Sequence, residues 1–205
     1  RPNSYIGRSV PRPNLSRLLK GRGSYADDVK LPRMLHVAFL RSSFAHAEII
    51  KLETDKARAA FGVVAVYTGK ELSEVCSPWV GVVTHLEGMR SPPQDVLAVD
   101  IVRWQGEPVV AVVAETRAFA EDAIELIEVQ YKELPLAVDM KAALDADAEV
   151  IHKDYDSNLC WERNVDVGDV KSAFAEADVV IEEEFQFGRH TGVTLESRSI
   201  IADYD

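Results

Sequence analysis

The seven residues Pro108 to Ala114 (PVVAVVA) contain four valines and no polar side chain. A run this short, β-branched and apolar at every position, fits a strand covered on both faces. It falls far short of the ~20 residues that a bilayer-spanning helix requires, so the chain must supply cover from its own elements. The first candidate follows at once. Arg117 to Ile127 places Ala120, Ala123, Ile124 and Ile127 on one helical stripe, with Glu121, Asp122, Glu125 and Glu128 off it. Glu128 to Tyr131 (EVQY) then reads as a second strand, giving a βαβ unit.

A similar unit stands upstream. Leu35 to Leu40 (LHVAFL) and Ala47 to Glu53 (AEIIKLE) read as strands. Thr54 or Asp55 offers an N-cap for a short helix through Ala60 that ends near Gly62, and Val63 to Tyr67 (VVAVY) follows as a strand. The expectation is an α/β (α+β) fold with two βαβ units in one sheet and Val109 to Ala114 central. Between the units Ser91-Pro92-Pro93 is a loop and Asp95 to Trp104 is strand-like. The prolines at 2, 11 and 13 favour an extended N-terminal arm, because each fixes φ and lacks an N–H. Pro135 and the Ala- and Asp-rich stretch Asp139 to Glu149 mark a domain boundary. Beyond it we expect a short helix at Val170 to Ala175 and strands at Val179 to Phe187 and Leu195 to Tyr204. Gly188 to Thr194 would turn these into an antiparallel hairpin, whose open edge predicts a homo-oligomer.

Charge excludes some functions. With 34 acidic against 23 basic residues the formal charge is −11, and the pI is near 4.9. That balance argues against nucleic acid and anionic membrane surfaces as partners, since both demand basic patches. The N-terminus has no apolar segment of the secretory kind, and two cysteines cannot form a disulfide framework of any density, so a cytoplasmic location is expected. Because residue 1 is Arg, the expectation is a processed N-terminus or a piece of a longer chain.

Individual residues name no reaction. The five histidines, at 36, 46, 85, 152 and 190, lack the local spacing of a zinc site. Cys76 and Cys160 lie outside any basic run that would activate a thiol. Gly21-Arg22-Gly23 is a turn and not a phosphate loop, since carboxylates at Asp27 and Asp28 follow where phosphates would sit. Glu182-Glu183-Glu184 alternates along a strand and reads as a solvated edge. Gly106-Glu107-Pro108 is a tight turn, and Glu196 with Arg198 fits a structural ion pair. No catalytic, cofactor-binding or metal-ligating residue is assigned.

The order of segments says more. GRGSYADD (21 to 28), LPRMLHVAFLRS (31 to 42), AHAEI (45 to 49), GVVAVYTG (62 to 69) and VRWQGEPVVAVVAET (102 to 116) resemble the N-terminal part of the large subunit in the xanthine dehydrogenase and aldehyde oxidase family. Aerobic carbon monoxide dehydrogenase large subunits look like relatives too. The resemblance continues through AEDA (120 to 123), GDV (168 to 170) with Ala173-Phe174, and LESR (195 to 198) leading to ADYD (202 to 205).

This resemblance implies an extended arm over 1–15, an α/β hammerhead domain over 16–136 and the incomplete start of a molybdopterin-binding domain over 137–205. It also implies an oxidoreductase that hydroxylates an aldehyde, an N-heterocycle or a similar small substrate with oxygen from water. Molybdopterin would be the cofactor of the full-length subunit, with iron–sulfur clusters and FAD on partner subunits or domains. The family's glycine-rich segment near molybdenum and its general-base glutamate have no counterpart before Asp205, so the fragment alone is expected to be inactive. Two other classes stay open: a stand-alone hammerhead-type interaction or assembly module, and a small-molecule binding domain with a pocket between the two βαβ units.

Overall fold

The structure is a computed structural model, and it describes residues 4–81, 85–188, 192, 194 and 198–204. The chain divides into two units, Met34–Asp169 and Arg1–Arg33 with Val170–Asp205.

The Met34–Asp169 unit is built on two three-stranded sheets, all of whose pairings are antiparallel. In the first, β5 (Pro108–Ala114) lies between β1 (His36–Arg41) and β3 (Val63–Thr68). In the second, β2 (Ala47–Glu53) lies between β4 (Ile101–Val102) and β6 (Glu128–Glu133). The central position of the PVVAVVA strand is as its composition requires. Val109, Val110, Val112 and Ala114 have no exposed surface. Full burial of one valine contributes about 1.5–3 kcal/mol, so this strand is the largest single contributor to the core.

The placing of two βαβ units in one sheet is corrected. The β–α–β order along the chain is present, but the strands flanking each helix belong to different sheets. A parallel return within one sheet needs a crossover of a dozen or more residues. Only residues 54–62 separate β2 from β3, and they hold the single turn of α2 (Asp55–Arg58). The chain therefore steps to the other sheet.

The longer helix, α4 (Arg117–Ile124), begins where Thr116 Oγ1 accepts the Phe119 N–H at 3.2 Å. It stops three residues short of the expected Ile127, in a turn where the Leu126 N–H bonds the Ala123 carbonyl. Its buried face is the expected one: Ala120 and Ala123 are closed off, and Ile124 and Ile127 pack against the core. Alanine at both inward positions lets the helix lie close on β1 and β5. A further helix, α3 (Gly69–Ser73), was not expected. Thr68 and Glu71 cap it reciprocally, the Thr68 N–H donating to Glu71 Oε2 at 2.8 Å. Its first residue has to be glycine, because a Cβ there would lie 2.1 Å from the Ala98 carbonyl oxygen.

Of the strand expected over Asp95 to Trp104, only Ile101–Val102 pairs. Leu97 and Ala98 instead bury themselves in a bend, where the Ala98 N–H donates to the Pro108 carbonyl at 2.8 Å.

The other unit holds two short helices, α1 (Leu15–Leu19) and α5 (Val170–Glu176), neither with a buried residue. Residues 4–14 form neither helix nor strand. The strand expected at Val179 to Phe187 is absent. Val179, Ile181, Phe185 and Phe187 are 75–87% exposed, and residues 179–188 carry no regular structure. Alternation alone does not make a strand outside a sheet. The same holds for 198–204, while Leu195, Glu196 and Ser197 lie outside the described residues.

Candidate functional site

In the Met34–Asp169 unit polar side chains converge where the loop around Arg90 meets the connector that follows β6. Arg90 enters after a left-handed turn at Gly88, whose φ is +78°, and the prolines at 92 and 93 keep the loop from returning to a strand. The Arg90 N–H donates to the Cys160 carbonyl at 2.8 Å. Its guanidinium donates through Nε to the Leu159 carbonyl at 3.0 Å and through Nη2 to Ser157 Oγ at 2.8 Å. It also pairs with Asp156 and stacks over the Tyr155 ring, 5.5 Å from the centroid. Trp161 completes the clasp by donating its indole N–H to the Glu87 carbonyl at 3.2 Å.

Asn158 organises the connector from within. Its Oδ1 accepts the Ile151 N–H at 3.1 Å, and its Nδ2 donates to the carbonyls of Ala143 and Glu149 at 3.0 and 2.9 Å. A neutral residue that ties three backbone groups together defines the loop more firmly than the exposed Arg90–Asp156 pair, since surface ion pairs contribute only about 0–1 kcal/mol. The Arg90 side chain holds Asp156 below the usual carboxylate range, first by hydrogen bonding and then by charge.

Behind this clasp lie His46, Arg103, Glu107 and His152. His46 is buried at 2% exposure in the loop before β2; its Nδ1 bonds the Pro135 carbonyl at 2.7 Å, so that nitrogen carries the proton. Its own carbonyl accepts the Leu134 N–H at 3.0 Å. Glu107 closes the turn before β5 by accepting the Arg103 N–H at 2.5 Å, and burial pushes its carboxyl above the usual range. Gly106, at φ +93°, permits that turn and donates to the Ser42 carbonyl at 2.8 Å. Arg103 Nε is the one buried side-chain nitrogen or oxygen without a partner among the described residues. His152 is half-buried, and burial, Arg103 and His46 all lower its pKa while Asp154 opposes them.

The cavity between Arg90, His152, Tyr155 and Cys160 has a volume of only about 40 Å³. Pockets for organic ligands run to about 300–1,000 Å³, so this one admits a water and no substrate. A second, larger cavity of about 510 Å³ is lined by Leu144, Ala146, Val150 and Leu159 with Asp145 and Glu162 beside them. Both cavities lie in the connector and not between β–α–β segments.

The other residues weighed from the sequence are scattered. His36 is half-buried on β1, His85 is exposed, and His190 and Glu196 lie outside the described residues. Cys76 and Cys160 are exposed free thiols. Gly21 takes φ +67° and closes α1, its N–H donating to the Leu18 carbonyl at 3.0 Å; a three-residue turn of 3₁₀ helix, Ala26–Asp28, comes after it. Glu182, Glu183 and Glu184 are exposed, outside any strand. Among the described residues no three His, Cys, Asp or Glu side chains gather as a metal site, and no helix is long and apolar enough to cross a membrane. Arg90 and Asn158 were not singled out from the sequence. Their partners lie far along the chain or in an aperiodic loop, and the one local signal was the Gly-then-Pro punctuation around Arg90.

Comparison with known proteins places this unit. Residues 20–135 match the family described as aldehyde oxidase and xanthine dehydrogenase, a/b hammerhead domain, and residues 151–205 match the molybdopterin cofactor-binding domain. The nicotine 6-hydroxylase large subunit of Paenarthrobacter nicotinovorans is 36% identical over 98% of this chain and 24% of its own length. The carbon monoxide dehydrogenase large chain of Afipia carboxidovorans is 35% identical over 92% of this chain and 24% of its own. Among solved structures, quinoline 2-oxidoreductase from Pseudomonas putida 86 is similar at a TM-score of 0.68 and 42% identity, over 76% of this chain and 20% of that one. The chain thus spans about a quarter of the length of the curated relatives it matches.

Proposed function

Since the chain belongs to the aldehyde oxidase and xanthine dehydrogenase family, we propose that it is the N-terminal part of a molybdenum hydroxylase large subunit. One observation carries the reading: the hammerhead and molybdopterin-binding matches follow each other in order along the chain. The reaction replaces a substrate C–H by C–OH with oxygen from water, and releases two electrons and two protons. The electrons leave through iron–sulfur clusters and FAD carried on partner subunits or domains of a larger assembly, one that also pairs copies of this subunit. Relatives named for nicotine, carbon monoxide and quinoline span different chemistries, so the substrate class is an aldehyde, an N-heterocycle or a similar small molecule. The cytoplasm is the proposed location.

In domain terms, we assign 1–15 to an arm, 16–136 to the hammerhead domain and 137–205 to the beginning of the molybdopterin-binding domain. The described residues do not by themselves fit the cofactor. Those from 179 to 188, inside the molybdopterin-type match, are exposed and without regular structure. No step is therefore assigned to a residue of this chain, and the clasp around Arg90 is read as architecture.

The test is to express the complete reading frame in a host that makes molybdenum cofactor, and to measure metal content and visible absorption of the purified protein. Stoichiometric molybdenum with co-purifying flavin and iron–sulfur chromophores is expected. A complete protein with neither molybdenum nor redox partners would leave an assembly module as the better reading.

A further inference from the structure

The larger cavity of the connector is formed by residues from 143–162, all within the Met34–Asp169 unit, and its volume of about 510 Å³ falls inside the range that organic ligands occupy. Its wall is fixed in advance. Asn158, itself part of the lining, accepts the Ile151 N–H and donates to the carbonyls of Ala143 and Glu149, so one side chain holds three points of the loop that forms the cavity.

The lining divides by chemistry. Leu144, Ala146, Val150 and Leu159 offer aliphatic surface, and 60% of Leu144 is open to solvent. Asp145, Asp156 and Glu162 supply the charge, with no Lys, Arg or His among the lining residues. Arg90 answers Asp156 from outside the lining. The carboxylates of Asp145 and Glu162 form no ion pair or side-chain hydrogen bond among the described residues, which leaves both charges uncompensated beside an apolar wall.

We propose that this cavity binds a small organic ammonium ion with an aliphatic body, its N–H groups donating to Asp145 and Glu162 and its hydrocarbon lying against Leu144, Val150 and Leu159.

The lining narrows the ligand class. A carboxylate or phosphate would meet like charge with no cation of the lining to offset it. A quaternary ammonium relies on aromatic faces, and no lining residue is aromatic. A bare metal ion needs several converging ligands, and among the described residues no three His, Cys, Asp or Glu side chains gather. A cation with N–H donors and an apolar part fits what is left. Exposed charge contacts are weak singly, so the aliphatic wall supplies the rest of the affinity.

The experiment is an NMR titration of the uniformly labelled 205-residue chain with n-hexylammonium, followed at the amides of Ala146, Ala148 and Leu159, with 1-hexanol and hexanoate as probes of equal length. Hexylammonium should give saturable shifts at these amides and none at Val110 or Val112. Hexanol should bind about tenfold more weakly, and hexanoate should not bind. Asp145→Asn combined with Glu162→Gln, both at exposed positions, should bring hexylammonium down to the level of hexanol and leave hexanol unchanged. Asp147→Asn combined with Asp154→Asn removes as much charge from exposed positions outside the lining, and should leave hexylammonium binding unchanged. Leu144→Ser should weaken both probes. The absence of saturable shifts at the lining amides, equal binding of hexylammonium and hexanoate, or a loss in the 147/154 variant that matches the 145/162 variant would each overturn the proposal.

Discussion

Val112 and Glu107 stand five residues apart and differ in how much of their role the sequence discloses. Val112 is buried in the middle of β5, paired with Ala38 on one side and Val66 on the other. The apolar run already assigned it to a core. A carboxylate there is desolvated with no partner, at a cost of several kcal/mol. Val112→Asp should therefore yield no soluble folded protein; a variant with a near-normal melting transition would refute the central-strand placement. Glu107 read only as part of a turn, because its half-burial and its bond to the Arg103 N–H depend on a fold that no local pattern encodes. Its raised pKa means that the folded form holds the proton more tightly than the unfolded one. The stabilisation associated with that proton is present below the ordinary glutamate range and is lost as pH rises through the raised value. Glu107→Gln keeps an acceptor for the Arg103 N–H without the buried charge. Urea denaturation should show the variant gaining on the parent between about pH 4 and pH 7; a gap that stays constant over that span would contradict the assignment.

At the scale of elements, periodicity succeeded where burial is local and failed where it depends on a partner. β2 lies where the sequence placed it, Ala47 to Glu53, and α4 buries its expected stripe because the core is built within the same unit. Val179 to Phe187 alternates as convincingly as any of these strands, yet it is exposed and lies outside any strand. The sheet assignment failed for a related reason: a β–α–β order is visible in one dimension, whereas which strand it joins depends on connection length and on strands far away. The consequence is measurable. Amides of residues 179–183 should exchange with solvent within seconds to minutes in dilute solution, while those of Val110 and Val112, inside paired ladders, should be slow. Slow exchange at 179–183 in a dilute monomer would mean that the segment belongs to a sheet of its own chain. The polar clasp lay beyond sequence reasoning altogether. Arg90 meets 155–160 across more than sixty residues of chain, and two of its partners are backbone carbonyls, which every residue possesses.

For the molecule as a whole, the family resemblance supplied what residue chemistry could not, and the comparisons establish the family. What the chain does alone is a separate matter. Within the molybdopterin-type match, residues 179–188 are exposed and carry no regular structure. The isolated 205-residue chain, purified from a host that makes molybdenum cofactor, should retain no molybdenum after gel filtration. Stoichiometric metal by elemental analysis would show that these residues suffice to hold it.

The splitting of each helix-linked strand pair between two sheets bears on how the protein is made. Sheet one cannot pair His36 before Ala114 exists, and in sheet two β4 can join β2 earlier but the pairing of Ala47 with Glu133 waits for β6. During synthesis, β1 and β3 must therefore wait on the ribosome, their apolar faces open to water, until β5 emerges, and β6 follows only after the thirteen residues 115–127. Closing such distant pairs is slow and exposes the nascent chain to association in the meantime. The interleaving that makes the finished unit indivisible thus makes its first hundred residues a natural client for chaperones, and any translational pause before Pro108 would prolong that exposure.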